Sequence, residues 1–205
     1  MFYETATNKH GLKHDPFKAL AVPRPIGWIS SIGKNGICNL APYSYFNAVG
    51  EKPHYVLFSS AGPKDSLLNI HETGEFVCSL ATYELRDAMN RTSVPVGPEI
   101  DEMQLAGLNP APSHFVAPPR VKESPVAFEC RYWRTIELPG RNGGLSGHAI
   151  VLGQVVGVHI ADEAIIGGRV DVTRLKPIAR LGYGDYAVIE EVFTLPRPGV
   201  RGASQ

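Results

Sequence analysis

Two neighbouring hydroxyls, a Gly-Pro turn and a lysine share one short stretch of this chain: Ser59-Ser60, then Ala61-Gly62-Pro63, then Lys64-Asp65-Ser66. The first pair ends an apolar run, and the last three open a short helical pattern. Unpaired N–H groups at a helix start attract anions, and a lysine and hydroxyls beside them complete a cradle for phosphate. The commoner meaning of such a start is a capped helix, with Asp65 or Ser66 as N-cap; both roles coexist if one residue caps while its neighbours bind. Ser30-Ser31 and Ser44 lie on two segments that read as paired strands, where hydroxyls can hydrogen-bond a polar heterocycle or a polyol chain. Taken alone, they read as solvent-face strand residues. His148 follows the glycine-rich run Gly143-Gly144-Leu145-Ser146-Gly147, and an imidazole there can donate to a cofactor or pair with an anion. A lone histidine is more often a structural hydrogen-bonder. His10 and His14 have the spacing of metal ligands on a helix, but Gly11 and Pro16 spoil that helix, and no metal site is expected. The glycine run precedes a strand and is no dinucleotide fingerprint. There is no nucleophile elbow, no paired-carboxylate constellation and no cysteine cluster for zinc.

The elements that must position these residues are short and mostly extended. Seventeen prolines and 21 glycines favour many brief elements over a few long helices. The apolar run from Ile26 to Ile32 predicts a strand, and Asn35-Gly36 after it is the strongest hairpin signal in the chain. Its partner is expected over Ile37 to Val49, with an edge or bulge at Pro42. His54 to Ser60, with its continuous Tyr55-Val56-Leu57-Phe58, predicts a buried strand. A helix is expected over Lys64 to His71 with Gly74 as its stop, then a strand over Glu75 to Ala81 and a second helix over Tyr83 to Arg91. Ser93 to Pro119 carries six prolines and reads as an excursion with one helical turn near Asp101 to Ala106. Two long strands follow, Val126 to Leu138 and Ala149 to Ile160, then a short one within Ala187 to Phe193 and a loose polar tail from Pro196 to Gln205. Strands joined by tight turns, without helices of crossover length, argue for antiparallel pairing in a closed or nearly closed barrel.

Length and composition agree. The 205 residues make a single domain, able to bury roughly 70% of the unfolded surface without staples. Twenty basic and twenty acidic side chains cancel, leaving no electrostatic footprint for nucleic acid and nothing to hold an anionic membrane surface. Cys38, Cys78 and Cys130 are far apart and odd in number, as expected of reduced thiols, with Cys78 buried. With no basic-then-apolar leader and no stretch of membrane-spanning length, a cytoplasmic protein is expected.

Several of these segments, in order, resemble the flavin reductase-like, FMN-binding family. They are Arg24 to Ser31 (RPIGWISS), the Asn-Gly turn, Asn39 to Val49 (NLAPYSYFNAV), Val56 to Ser60, Lys64-Asp65-Ser66 and Gly74 to Val77. Arg91-Thr92, Gly107-Leu108, Glu129-Cys130 and Leu152 to Gly157 continue the likeness, which spans about residues 15 to 195. The resemblance implies an antiparallel split β-barrel with FMN at a homodimer interface. Carried over residue by residue, Trp28, Ser30 and Ser31 on the first strand, Ala41, Pro42, Tyr43 and Ser44 on the second, and Ser59-Ser60 line the flavin and its ribityl chain. Lys64, Asp65 and Ser66 hold its phosphate, and Arg91 also belongs to the cofactor set. His148 falls where family members place a histidine by the nicotinamide; those using nicotinamide often carry Gly-Asp-His there, whereas this chain has Ser146-Gly147-His148. The implied activity is hydride transfer from NADH or NADPH to flavin, with a flavin-accepting monooxygenase or a redox protein as possible partner. The alternatives are a bound-FMN electron carrier of the flavoredoxin kind and a non-catalytic flavin-binding module.

Overall fold

The computed structural model describes residues 1–198. The chain enters through a helical turn, α1 (Phe17–Leu20), and the two-residue strand β1 (Arg24–Pro25). The barrel strands follow: β2 (Gly27–Ile32), β3 (Cys38–Tyr43), β4 (Phe46–Glu51) and β5 (His54–Ala61). Helix α2 (Asp65–Thr73) leads to β6 (Glu75–Leu80), then α3 (Arg86–Arg91). The excursion carries α4 (Glu102–Leu105) and a small ladder of β7 (Pro110–Ala111) with β8 (Arg120–Val121). The long strands β9 (Val126–Pro139) and β10 (Leu145–Ile160) complete the main sheet. Beyond them lie the small ladder β11 (Ile165–Ile166) and β12 (Arg169–Val170), then α5 (Val172–Leu175), β13 (Ile178–Arg180) and β14 (Tyr186–Val188).

The main sheet has seven antiparallel strands in the order β3-β2-β6-β9-β10-β5-β4. Its two edges, β3 and β4, are consecutive in the chain and meet at the corner Ser44-Tyr45. There the Ser59 N–H donates to the Tyr45 carbonyl at 2.8 Å, which carries the β4–β5 ladder one residue beyond β4 into the corner. Register shifts along β9 and β10 mark bulges that bend these long strands and curl the sheet. The result is the expected antiparallel split barrel with a few short helices.

Local causes are plain in the hairpin and helix. In the β2–β3 turn Gly36 takes φ +79°, and the Asn35 side chain accepts from the Ile37 N–H at 3.0 Å. Gly74 ends α2 in the left-handed region at φ +76°, its N–H bonded to the Ile70 carbonyl. The helix turns Leu67 and Ile70 into the barrel core beside Phe58, Phe76 and Val151. Burying each such side chain contributes roughly 1.5–3 kcal/mol. Trp28, fully buried, anchors a second core under the excursion with Met89, Met103 and Val121.

Three expectations need correction. The single strand expected over Ile37 to Val49 is two, β3 and β4, broken at Ser44-Tyr45; Pro42 does sit on an edge strand, the first of the two settings expected for it, where a missing N–H costs nothing. Strand β5 is not continuously buried but alternates, with Val56, Phe58 and Ser60 inward and their neighbours less covered. Of Ala41 to Phe46, the segment that reads in sequence as an apolar run needing cover, Tyr43 is buried and only Tyr45 reaches 36% exposure. All three cysteines are free and buried. Burial pushes the Cys38 thiol up to about 12, which removes it as a nucleophile at neutral pH. The end of the expected loose tail, from residue 199 on, lies outside the described residues.

Candidate functional site

The start of α2 carries no side-chain cap. Lys64 stands at the N-cap position in extended conformation (φ −82°, ψ 159°), and Asp65 is the first helical residue. Neither Asp65 nor Ser66 therefore performs the capping role that such a start suggests. Ser66 is buried, its hydroxyl accepting from the Asn39 amide at 2.7 Å. The turn before the helix is pinned to the barrel: the Ser60 hydroxyl donates to the Gly62 carbonyl at 3.3 Å, and the Gly62 N–H donates to the Gly147 carbonyl at 2.7 Å. First-turn N–H groups without a side-chain acceptor, next to an exposed lysine, leave positive potential at one point of the barrel wall.

Beside it lies an orphaned donor. Tyr43 is 5% exposed, and its hydroxyl is buried without a hydrogen-bond partner among the described residues. Its ring tilts against Phe58 at 4.6 Å, and the Lys64 ammonium lies 5.7 Å from the ring centre. Burial pushes the phenol's pKa up; the Ser66 and Ser60 hydroxyls pull the other way, though neither reaches hydrogen-bond geometry. The hydroxyl keeps its proton and is available as a donor. Tyr43, Lys64, Asp65 and Ser66 open into a cavity of about 360 Å³, walled opposite by the excursion residues Val94, Pro95 and Val96. Glu102 lines the same cavity at 5% exposure, one carboxylate oxygen accepting from the Leu40 N–H of edge strand β3 at 3.0 Å. Burial raises its pKa, with Asp65 and Asp101 adding to the effect.

This cavity is one end of a trough. It shares Pro42 and Ser93 with a cleft of about 460 Å³. That cleft in turn shares Arg24 and Ser44 with an apolar hollow of about 510 Å³, which Ser59, Ile150 and His148 line. His148 is exposed and pairs with Ala61 across the β5–β10 ladder, three residues before Lys64.

Of the residues singled out from sequence, the structure brings Ala41, Pro42, Tyr43, Lys64, Asp65 and Ser66 to the first cavity. It brings Ser44, Ser59 and His148 to the apolar hollow. Ser60 is buried beneath the turn. The remaining side chains point elsewhere. The Trp28 indole donates to Thr92 in the core at 2.9 Å, the Ser30 hydroxyl to the Pro119 carbonyl at 2.5 Å, and Ser31 accepts from Asn69 at 3.3 Å. The Arg91 guanidinium donates to the Ala106 carbonyl at 3.0 Å. Sequence reasoning missed Asn39, Thr92, Ser93, Glu102 and the Val94–Val96 wall. The pairing of Thr92 with Trp28 and the reach of Glu102 to the Leu40 N–H leave no trace in local pattern. Among the described residues no group of three metal-ligating side chains occurs, and no helix is long and apolar enough to cross a membrane.

Comparison with known proteins agrees with the geometry. An uncharacterised protein of Halalkalibacterium halodurans is 33% identical over 184 residues, covering 87% of this chain and 88% of its own. Among solved structures, nitrilotriacetate monooxygenase component B from Bacillus cereus superposes with a TM-score of 0.85 at 34% identity, covering 95% of this chain and 98% of its own. The 2-nitrobenzoate 2-nitroreductase of Pseudomonas fluorescens gives 0.84 at 26% identity over the whole of both chains. A Shewanella frigidimarina protein with a split barrel domain gives 0.80 at 22% identity, covering 95% and 94%, and shares the fold. The model of the flavin reductase like domain matches residues 19–171. With that match over most of its length and the barrel just described, the chain belongs to the flavin reductase-like family.

Proposed function

We propose that this protein binds FMN in the trough and transfers hydride to the flavin from NADH or NADPH. The observation that carries the first half is the uncapped start of α2 beside Lys64, with the buried Tyr43 hydroxyl lacking a partner in the same cavity. A phosphate suits the helix start and the lysine, and an acceptor on the cofactor suits the phenol. These residues fit FMN better than riboflavin, which has no phosphate. When bound, FMN supplies the redox chemistry; the chain binds, orients and shields it. Asn39 and Ser66 brace the phosphate end, and the Val94–Val96 wall keeps water from one side. His148, exposed on the apolar hollow, is placed to meet a second ligand entering there.

The nitrilotriacetate monooxygenase component among the similar structures supports a monooxygenase or another redox protein as the acceptor of reduced flavin. The absence of an acidic residue before His148 favours a second reading, a bound-FMN electron carrier reduced by a protein partner. Anaerobic mixing of the FMN-loaded protein with NADH or NADPH separates them: rapid bleaching of the flavin band supports the first, and no bleaching with either supports the carrier.

We also propose a homodimer. Phe17, Leu20 and Val22 are exposed at 57%, 71% and 40% close to the apolar hollow, and a second copy would cover them. Sedimentation of the FMN-loaded protein as a monomer at micromolar concentration would remove this claim.

A further inference from the structure

The middle cleft of the trough has a chemistry of its own. Arg24 is 9% exposed, and its guanidinium donates to the carbonyls of Lys18, Ala21 and Leu181 at 2.5–2.6 Å, while its Nε has no partner. Lys18, His14 and Arg180 line the same cleft. Among the described residues no carboxylate lies within 4 Å of Arg24, Lys18 or Arg180. The one acid in the cleft, Asp15, accepts from the Asn8 amide at 3.0 Å and the Phe17 N–H at 2.9 Å and keeps its charge, a single negative against the three cations Lys18, Arg24 and Arg180. A buried guanidinium bonded only to carbonyls is a cation without a counter-ion, which a chain tolerates poorly unless something supplies the negative charge.

Aromatic rings rim this charge. Arg180 lies over the Tyr186 ring at 4.5 Å and also holds the carbonyl of Tyr183. Tyr183 takes φ +55°, a left-handed conformation that bulky residues rarely adopt, and its exposed ring meets His14 at 5.6 Å. The β1–β13 ladder, pairing Arg24 with Arg180, brings this segment onto the barrel. The family domain spans 19–171, so His14, Lys18, Arg180, Tyr183 and Tyr186 all come from flanking segments outside it. Of the cations and rings of the cleft only Arg24 belongs to the shared domain, which otherwise supplies Ile26, Pro42, Ser44, Met89 and Ser93 as wall.

We propose that this cleft is a binding site for a planar aromatic anion, held by Arg24, Lys18 and Arg180 with Tyr183 and Tyr186 against its ring. It adjoins the flavin cavity through Pro42 and Ser93, and its role as the second-ligand site rests on the flavin reading above. The flanking segments, rather than the family barrel, then decide which second ligand this protein accepts. Carboxylate and phosphate satisfy the cations alike, so an aromatic carboxylate and the adenylate end of a dinucleotide are the two sources of this chemistry.

Calorimetric titration of the FMN-loaded full-length protein with benzoate, with 5′-AMP and with inorganic phosphate tests it. At least one aromatic anion should bind more tightly than phosphate, and more weakly as salt rises. Tighter benzoate identifies a carboxylate ligand; tighter 5′-AMP identifies a dinucleotide. Arg180→Gln should weaken that binding about tenfold, the loss of one charge-assisted contact. Lys18→Gln, at an exposed position that does not hold the Tyr183 turn, should weaken it in the same direction with an unchanged melting temperature. FMN affinity, titrated separately, should hold in both variants. Binding of neither aromatic anion, affinity unmoved by both variants, or an aromatic anion that competes with FMN overturns the proposal. Failure of FMN itself to bind, with benzoate or 5′-AMP still held by Lys18 and Arg180, would sink the flavin reading and leave the anion site standing.

Discussion

Replacing Tyr43 with phenylalanine removes one atom from the trough and little else. The ring keeps its tilted contact with Phe58 at 4.6 Å and its place beneath Lys64, so the variant isolates the hydroxyl. That hydroxyl is buried with no partner in the protein, a condition that costs about 1–3 kcal/mol. Tyr43→Phe should therefore stabilise the flavin-free protein by about 1–3 kcal/mol, at roughly 2–4 °C of melting temperature per kcal/mol for a chain of 205 residues. The effect on binding has the opposite sign. If FMN gives the phenol its acceptor, the wild type recovers the penalty on binding and the variant has none to recover. FMN affinity should then fall by about five- to a hundredfold. Thermal unfolding without flavin and fluorescence titration with FMN, on one preparation of each protein, measure both. A variant that melts lower without flavin, or binds FMN as tightly as wild type, would refute the assignment of this hydroxyl to the cofactor.

Three further outcomes are expected. Lys64→Ala should weaken FMN by roughly ten- to a hundredfold and riboflavin hardly at all; equal losses for both would move the phosphate away from α2. Glu102 has a raised pKa in the fold, chiefly from burial, so the folded chain keeps its proton over a pH window where the unfolded chain has released it. Stability is therefore lost as pH rises through the folded pKa, and Glu102→Gln, which keeps an acceptor for the Leu40 N–H, should be more stable than wild type at neutral pH, with the gap closing below about pH 4; urea melts across pH that show a constant gap would contradict this. His148→Ala should leave FMN affinity within a few-fold yet slow reduction by nicotinamide about tenfold, or ~1.4 kcal/mol in the barrier; an unchanged rate in stopped flow would favour the electron carrier.

Much of the barrel was legible because its signals are local. Asn35-Gly36 needs only two residues to make a hairpin, and Leu67, Ile70 and Gly74 specify α2 within ten. The start of α2 was legible for the same reason: Lys64, Asp65 and Ser66 are adjacent. What stayed hidden depends on distant pairing. Trp28 looks like a flavin-lining residue in sequence, but its indole finds Thr92, 64 residues away, and turns into the core. Glu102 reaches the cavity only because the excursion folds back to cap an edge-strand N–H. Strand β1 is two residues long and its partner lies more than 150 positions away, so no window of sequence contains both.

The corner at Ser44-Tyr45 has a mechanical consequence. Every neighbouring pair of strands in the sheet is laced by a ladder, whereas its two free borders, β3 and β4, are joined only by the chain at this corner. The Ser59–Tyr45 hydrogen bond belongs to the β4–β5 ladder and does not cross between them. The wall can therefore widen between β3 and β4 without breaking a rung, while separating any other pair means unzipping a row. The trough runs past this opening, with Pro42 and Ser44 on its lip. Amide exchange should accordingly be faster at the outward-facing N–H groups of β3 and β4 than along β6 and β9, and the width of the groove can follow the ligand while the rest of the barrel stays rigid.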